Sequence, residues 1–360
     1  MNADALGHQL LAERISRVPE LLGSMWERPP GEARTFSRPI KRVVATGIGS
    51  SEAQARYFAW LLNTFTDIPA RFVPLAAFTD PFGPTAADHS LVVFSQGLSS
   101  NAGFALSQSR SFARTLLFTS ATEAGQRAAG KPERAELLAH LTKGGAEVMP
   151  FPIEDEYSIL IRIIGPACGF AAAHQFVEAL PGSRLKPIAE QAGEILAFAN
   201  NPVGSQLRED LVVRADQWKS GGVLLLPAPL TEFAQNIACK FVEGVFWTAP
   251  CIVELMQFAH GPFQLLAANP KPVCVVRGPT PFDAELTKRA TAMLRSIGIQ
   301  PTVIPLPVAP AIAPIALELL LNPVFGELIL RLGVDQVNWP GKGLDGPIYL
   351  LDATTTVANP

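Results

Sequence analysis

The sequence predicts an α/β protein of two tandem lobes, each a doubly wound parallel sheet flanked by helices. Three observations carry that expectation. Short apolar runs of strand length alternate with segments of helical period through both halves of the 360-residue chain. Two early strands end in Gly/Ser turns that run straight into helices, the pattern of parallel strands with a ligand crevice at their carboxyl ends. The alternation then restarts after a linker at Pro181 to Lys186.

Composition narrows the function classes. The chain is 48% hydrophobic and 17% charged with a formal net charge of −3, and it has no basic run of the kind a nucleic-acid surface requires. Cys168, Cys239, Cys251 and Cys274 have no paired spacing and read as buried thiols, not as a disulfide frame or a metal cage. The charged N-terminal stretch is no signal peptide, and the apolar region Val308 to Leu332 is broken by Pro310, Pro314, Asn322, Pro323 and Glu327, which predicts a buried helix pair and not a membrane span. A cytoplasmic protein is expected.

Taken in order, residues 7–26 have helical spacing, with Pro19 predicting a break or kink. Arg42 to Thr46 is a buried strand that leads into Gly47-Ile48-Gly49-Ser50-Ser51 and a helix. Backbone N–H groups gathered at a helix N-terminus suit an anion. A dinucleotide site is the rival reading, but the third glycine is missing and hydroxyls stand where close backbone approach is needed. Ser90 to Phe94 is the next strand, ending in Ser95-Gln96-Gly97-Leu98-Ser99-Ser100-Asn101; Thr115 to Ser120 is another, again ending in hydroxyls. Any one serine cluster is ordinarily a helix cap; two at equivalent strand ends predict a sugar or phosphate cradle.

Between Gly144 and Pro152 a strand (AEVMPF) precedes an acidic turn, Glu154-Asp155-Glu156, and a long apolar helix that would contain Arg162 and His174. On that helix Arg162 reads as a surface side chain with a buried stem, and His174 as a packing or capping residue. The second half has a helix at 187–199, the strand Gly222 to Leu226, a helix from Glu232, and strands at 252–255, 273–276 and 301–304. The tail closes on Asp335-Gln336-Val337-Asn338-Trp339-Pro340-Gly341-Lys342, a Gly/Pro turn presenting one lysine.

The chemistry-bearing segment is Lys240 to Pro262. Lys240 and Glu243 stand three residues apart on one predicted helix face, and His260-Gly261-Pro262 is a turn-like stop. A lysine, a carboxylate and an imidazole in so apolar a stretch are candidates for proton transfer on a small molecule; taken alone they also fit a surface ion pair and a packed histidine.

Taken together, strand–GxGSS–helix at 47–51, the Ser95-Gln96…Ser100 turn, K-x-x-E at 240–243, H-G-P at 260–262 and V-D-Q followed six residues later by Lys342 resemble the tandem sugar isomerase (SIS) family over nearly the whole chain. Among its members the likeness is to the isomerase half of glucosamine-6-phosphate synthase and to glucosamine-6-phosphate deaminase and fructosamine deglycase relatives. The resemblance implies an N-terminal helical segment (1–35), a first SIS domain (36–186), a second SIS domain (187–330) and a C-terminal active-site tail (331–360). It implies that Glu243 moves a proton between C1 and C2 and that His260, supplied across a homodimer interface, opens the sugar ring. Lys342 would form an imine with, or polarise, the carbonyl, and Lys240 would assist at the oxygens. Gly49, Ser50, Ser51, Ser95, Gln96, Ser99 and Ser100 would hold the phosphate or sugar. No metal or cofactor is implied, and with no glutaminase-type domain ahead of the first lobe, ammonia delivery from glutamine is not expected.

Two departures bear on the substrate. Gly97 replaces a phosphate-binding serine of the family's S-Q-S-G-x-T/S turn, and Leu98 stands where glycine is usual. Ile161 and Arg162 replace a small Ser/Thr pair, so Ser99 and Arg162 become candidate substitutes for the lost donor. The resulting expectation is an amino-sugar ketol isomerase or deaminase acting on a phosphorylated sugar. A fructosamine-6-phosphate deglycase and a non-catalytic sugar-phosphate-binding regulator are the alternatives.

Overall fold

The computed structural model describes residues 5–27, 40–79, 87–151, 153, 158–200 and 202–351; the expected acidic turn at Glu154, Asp155 and Glu156 lies outside the described residues. The chain forms two units, each assembled from separate segments. Residues 24–157, 168–187 and 338–360 make one, and residues 1–23, 158–167 and 188–337 make the other.

The first unit is built on five parallel strands, β1 (Val43–Thr46), β2 (Ala70–Phe72), β3 (Ser90–Phe94), β4 (Arg114–Thr119) and β5 (Glu147–Pro150), in the order β2-β1-β3-β4-β5. Every residue of β1, β3 and β4 is buried, which is why they read as continuous apolar runs: helices cover both faces of the sheet. On one face the helix Ser50–Phe65 lays Phe58 on Phe94 and Phe118, with ring centroids 5.7 and 5.5 Å away, and Phe94 stacks on Phe118 at 4.4 Å. On the other, Val44, Leu91, Val93 and Leu117 pack with Leu98, Leu106, Leu138 and Leu141. From β1 the chain steps to β2 on one side, and from β3 to β4 on the other. The winding therefore reverses between β1 and β3, and a crevice opens at their carboxyl ends.

The second unit has four parallel strands, β6 (Val223–Leu226), β7 (Cys251–Glu254), β8 (Val273–Arg277) and β9 (Thr302–Pro305), in the order β7-β6-β8-β9. Val223, Leu225, Val253, Val273 and Val275 share a core with Leu266 and Leu294. Two parallel sheets flanked by helices are the α/β arrangement that the alternating pattern predicts.

Several local expectations are corrected. The helix His8–Glu27 runs unbroken through Pro19, and burial of Leu11, Val18 and Leu22 along it offsets the missing hydrogen bond. Instead of a helix pair after Val308 there is one helix, Ala313–Leu332, with Pro323 inside it. It is long and apolar enough to cross a membrane, but 83% of its most apolar window is buried within the protein. The apolar helix expected after the acidic turn begins only at Ile164 and ends at Glu178, so Arg162 sits in an irregular loop instead of a helix. The reason is long-range: the N–H groups of Leu160 and Ile161 donate to Gln336 O (3.1 Å) and Gln336 Oε1 (3.0 Å) and are withdrawn from helix formation. Edge strand β2 and the helices Val203–Val213 and Ala215–Lys219 were not anticipated. Of the thiols, only Cys168 and Cys274 are buried; Cys239 is half-buried and Cys251 is exposed at the start of β7. Burial pushes the Cys274 thiol well above its ordinary range.

Candidate active site

In the first unit, the β1 and β3 turns meet the crevice. Gly49 has φ 61°, and a Cβ on Gly47 would fall 2.4 Å from Ser51 O, so both positions require glycine. Ser51 is buried and Ser50 half-buried at the start of the helix that follows. At the end of β3, Ser95 and Gln96 are buried, and Ser99 and Ser100 are half-buried. The Ser95 hydroxyl accepts the Ser99 N–H at 3.1 Å, which leaves its own O–H to donate to a ligand. Gln96 O accepts from Ser120 N, Ser120 Oγ and Thr119 Oγ1 at 2.9, 2.8 and 3.0 Å, and Arg134 Nη1 donates to Gly97 O at 3.0 Å. Leu98 is fully buried with φ 52°: the backbone keeps the left-handed conformation natural to glycine although the residue is not one.

Lys342 lies in the same unit, between Gly341 and Gly343 at φ 78° and 79°. It is exposed, with its ammonium 4.6 Å above the Trp339 ring. Asn101 holds the tail beyond it, donating to Ile348 O and Leu351 O at 2.9 and 3.1 Å.

The second unit holds the carboxylate site. Residues Lys240–Gly244 form a single π-helical turn continuing the short helix Gln235–Cys239, a feature frequent at functional positions. Phe241 anchors it against Phe325 and Trp218, with ring centroids 5.0 and 5.8 Å away. Gly244 permits close approach of the 158–163 loop, because a Cβ there would meet Ile161 Cδ1 at 2.9 Å. Glu243 is half-buried. Burial raises its carboxyl above the usual carboxylate range, against the opposing fields of Arg162 and Lys240. Arg162, also half-buried, donates to Ile159 O at 2.7 Å.

Lys240 is only 2% exposed, and its Nζ is 3.0 Å from Glu318 Oε2 and 2.7 Å from Asn322 Oδ1. Asn236 donates to the other Glu318 oxygen, and Asn322 donates to Ile163 O at 3.4 Å. His260 follows the turn Gln257–Ala259 and precedes Gly261 (φ 118°); it is exposed, and its ring makes no hydrogen bond among the described residues. The second unit thus gathers Lys240, Glu243 and Arg162 around one turn, with His260 on an exposed corner. Sequence reasoning missed Asn236 and Glu318 and gave no role to Asn322 and Gln336; polar Glu318 and Asn322, one helical turn apart in an apolar helix, were the available signal.

The winding of the second sheet also reverses, between β6 and β8, and Gly278 at the end of β8 lies tight against its neighbours. A Cβ on Gly278 would lie 3.1 Å from Pro227 Cγ and 2.5 Å from Asp283 Oδ2, and the Asp283 carboxylate already caps the helix Pro281–Ser296 with Thr280. Among the described residues, no cluster of three or more His, Cys, Asp or Glu side chains could hold a metal ion.

No family model matches the sequence, and no curated protein matches it significantly. Solved structures do match its fold. The C-terminal domain of glucosamine-fructose-6-phosphate aminotransferase from Francisella tularensis is similar with a TM-score of 0.67 at 12% identity, covering 91% of this chain and 97% of that one. Glucosamine-6-phosphate deaminase from Thermotoga maritima is similar with a TM-score of 0.64 at 16% identity, covering 92% and 97%. Tagatose-6-phosphate ketose/aldose isomerase from Escherichia coli is similar with a TM-score of 0.61 at 14% identity, covering 94% and 98%. The chain therefore has the fold of these sugar-phosphate proteins over nearly its whole length, in agreement with the SIS-type architecture expected from its motifs.

Proposed function

We propose that the protein is a ketol isomerase of phosphorylated amino sugars, of the deaminating kind, in which Glu243 carries a proton between adjacent carbons. The observation that carries this reading is the Glu243 site: a half-buried carboxyl with a raised pKa, on a π-helical turn, in the fields of two cations. Aldose–ketose interconversion needs such a group, since a base poised nearer neutrality exchanges protons with carbon more effectively than an ordinary surface carboxylate. Lys240, sequestered by Glu318 and Asn322, serves by its charge: it keeps Glu243 ionisable despite burial.

The Gly47–Ser51 and Ser95–Ser100 turns hold the phosphate, with Ser95, Ser99 and Ser100 as hydroxyl donors and the Gly97 backbone in place of the missing side chain. Lys342 acts at the substrate carbonyl, and the exposed His260 is contributed to the site of a second copy in a homodimer. The structural neighbours, an aminotransferase domain, a deaminase and an isomerase all named for 6-phosphosugars, support the substrate class.

The test is ammonia release from glucosamine 6-phosphate beside amine release from a fructosamine 6-phosphate. Turnover of the first is expected, falling roughly 10²–10⁴-fold in Glu243→Gln with little change in binding. Turnover of the second alone assigns the deglycase reaction. Binding of both with turnover of neither assigns a regulator and removes the catalytic reading.

A further inference from the structure

Gln336 is fully buried, and its four polar atoms bond three separate segments of the second unit. Its backbone N–H donates to Leu6 O at 3.0 Å, and its backbone carbonyl accepts from Leu160 N at 3.1 Å. Its side-chain oxygen accepts from Ile161 N at 3.0 Å, one residue before Arg162. Its side-chain nitrogen donates to Glu243 O at 3.2 Å and Gly244 O at 2.8 Å. Those two carbonyls belong to the last residues of the π-helical turn, where no intrahelical partner is available.

We propose that Gln336 is the positioning residue of the Glu243 site: one side-chain amide clamps the end of the turn that carries Glu243 to the loop that carries Arg162. The inference rests on the reading of Glu243 as the reacting carboxyl. The amide suits the task because it offers a donor to one segment and an acceptor to the other; a carboxylate, an ammonium or a hydrocarbon of the same length does at most half of it. Gln336 touches no reacting group itself. It acts by fixing how deeply Glu243 is buried and how it faces Arg162, while Lys240, the other charged group near Glu243, is held separately by Glu318. By sequence it stands six residues before Lys342, at the point where the chain leaves this unit.

The test is a direct titration of Glu243 in Gln336→Met, which keeps the length and removes the amide. Carboxyl-13C glutamate labelling follows each side chain, and the Glu243 resonance is the one missing from Glu243→Gln. Release of the turn admits water to the carboxyl, so the Glu243 pKa should fall toward the ordinary carboxylate value, while exposed Glu285 keeps its titration. An unchanged Glu243 pKa in a folded but less stable Gln336→Met assigns Gln336 to stability alone and overturns the proposal. Should that variant not fold, Gln336→Leu is titrated in its place; if neither folds, Gln336 belongs to the fold and not to the site, and the proposal falls. Full turnover in Glu243→Gln would remove Glu243 as the base, an outcome read independently of this titration.

Discussion

Replacing Glu318 with Gln removes one charge and almost no volume from the interior of the second unit. Lys240 and Glu318 are 2% and 1% exposed, so the remaining ammonium has no water to turn to. Glu318 Oε2 lies 3.0 Å from Lys240 Nζ and Oε1 accepts from Asn236, so both carboxylate oxygens are committed. A glutamine offers a single acceptor to these two donors and turns an N–H pair toward the other. Leaving one partner of a buried ion pair without its counter-charge costs about 3–5 kcal/mol; the retained amide oxygen places Glu318→Gln near the lower end. Lys240→Met with Glu318→Leu removes both charges at once. It leaves Asn236 without an acceptor and Asn322 without a donor, each costing about 1–3 kcal/mol, but no charge is stranded. The double variant should therefore be no less stable than the sum of the singles predicts, with a favourable coupling on the order of 1 kcal/mol or more. Urea unfolding of Glu318→Gln and of the four proteins of the cycle (wild type, Lys240→Met, Glu318→Leu and the double variant) measures this. A cost below about 1 kcal/mol for Glu318→Gln would refute the reasoning, since that is the worth of a solvated surface pair.

Three further outcomes follow. The folded-state pKa of Glu243 is raised, so the wild-type protein loses stability relative to Glu243→Gln as pH rises from about 4 through the folded value; unfolding midpoints that diverge in the opposite sense would show that the carboxylate is stabilised in place. Gly97→Ser restores a hydroxyl to the β3 turn, and one added hydrogen bond to a charged ligand is worth roughly 1.5–3 kcal/mol. A 6-phosphosugar should bind at least about ten-fold more tightly in that variant, by calorimetry; unchanged affinity would move the phosphate away from this turn. Mixed Glu243→Gln and His260→Ala protomers should regain part of the activity that each lacks alone, and no rescue with subunit exchange demonstrated would count against a shared site.

What could be read in advance was what depends on near neighbours. Strands β1, β3 and β4 are apolar at every position because both faces of the sheet are covered, and the Gly/Ser turns at their ends announce the crevice directly. The same local logic failed where distant residues decide. Apolar spacing predicts a helix from Tyr157 onward, but Gln336 takes the N–H of Ile161 and the helix starts at Ile164. Helical spacing put Lys240 and Glu243 on one face; it could not show that Lys240 is engaged by Glu318, 78 positions away, while Glu243 stays half-buried on a π-helical turn. Nor does composition separate the buried Cys274 from the exposed Cys251, as both lie in apolar runs.

The left-handed Leu98 has a consequence for how the β3 turn meets a ligand. A non-glycine residue in that conformation costs on the order of 1–2 kcal/mol, and here a side chain seated in the core holds it there. A glycine turn can breathe: its backbone samples several shapes and settles around whichever anion arrives. The Leu98 turn is rooted in hydrophobic packing, so its amides and hydroxyls are set before binding, and little chain entropy is lost when an anion docks. Such a grip does not follow its ligand. If the turn holds a phosphate as proposed, it would select by shape, favouring an anion whose oxygens match a fixed template over others of equal charge.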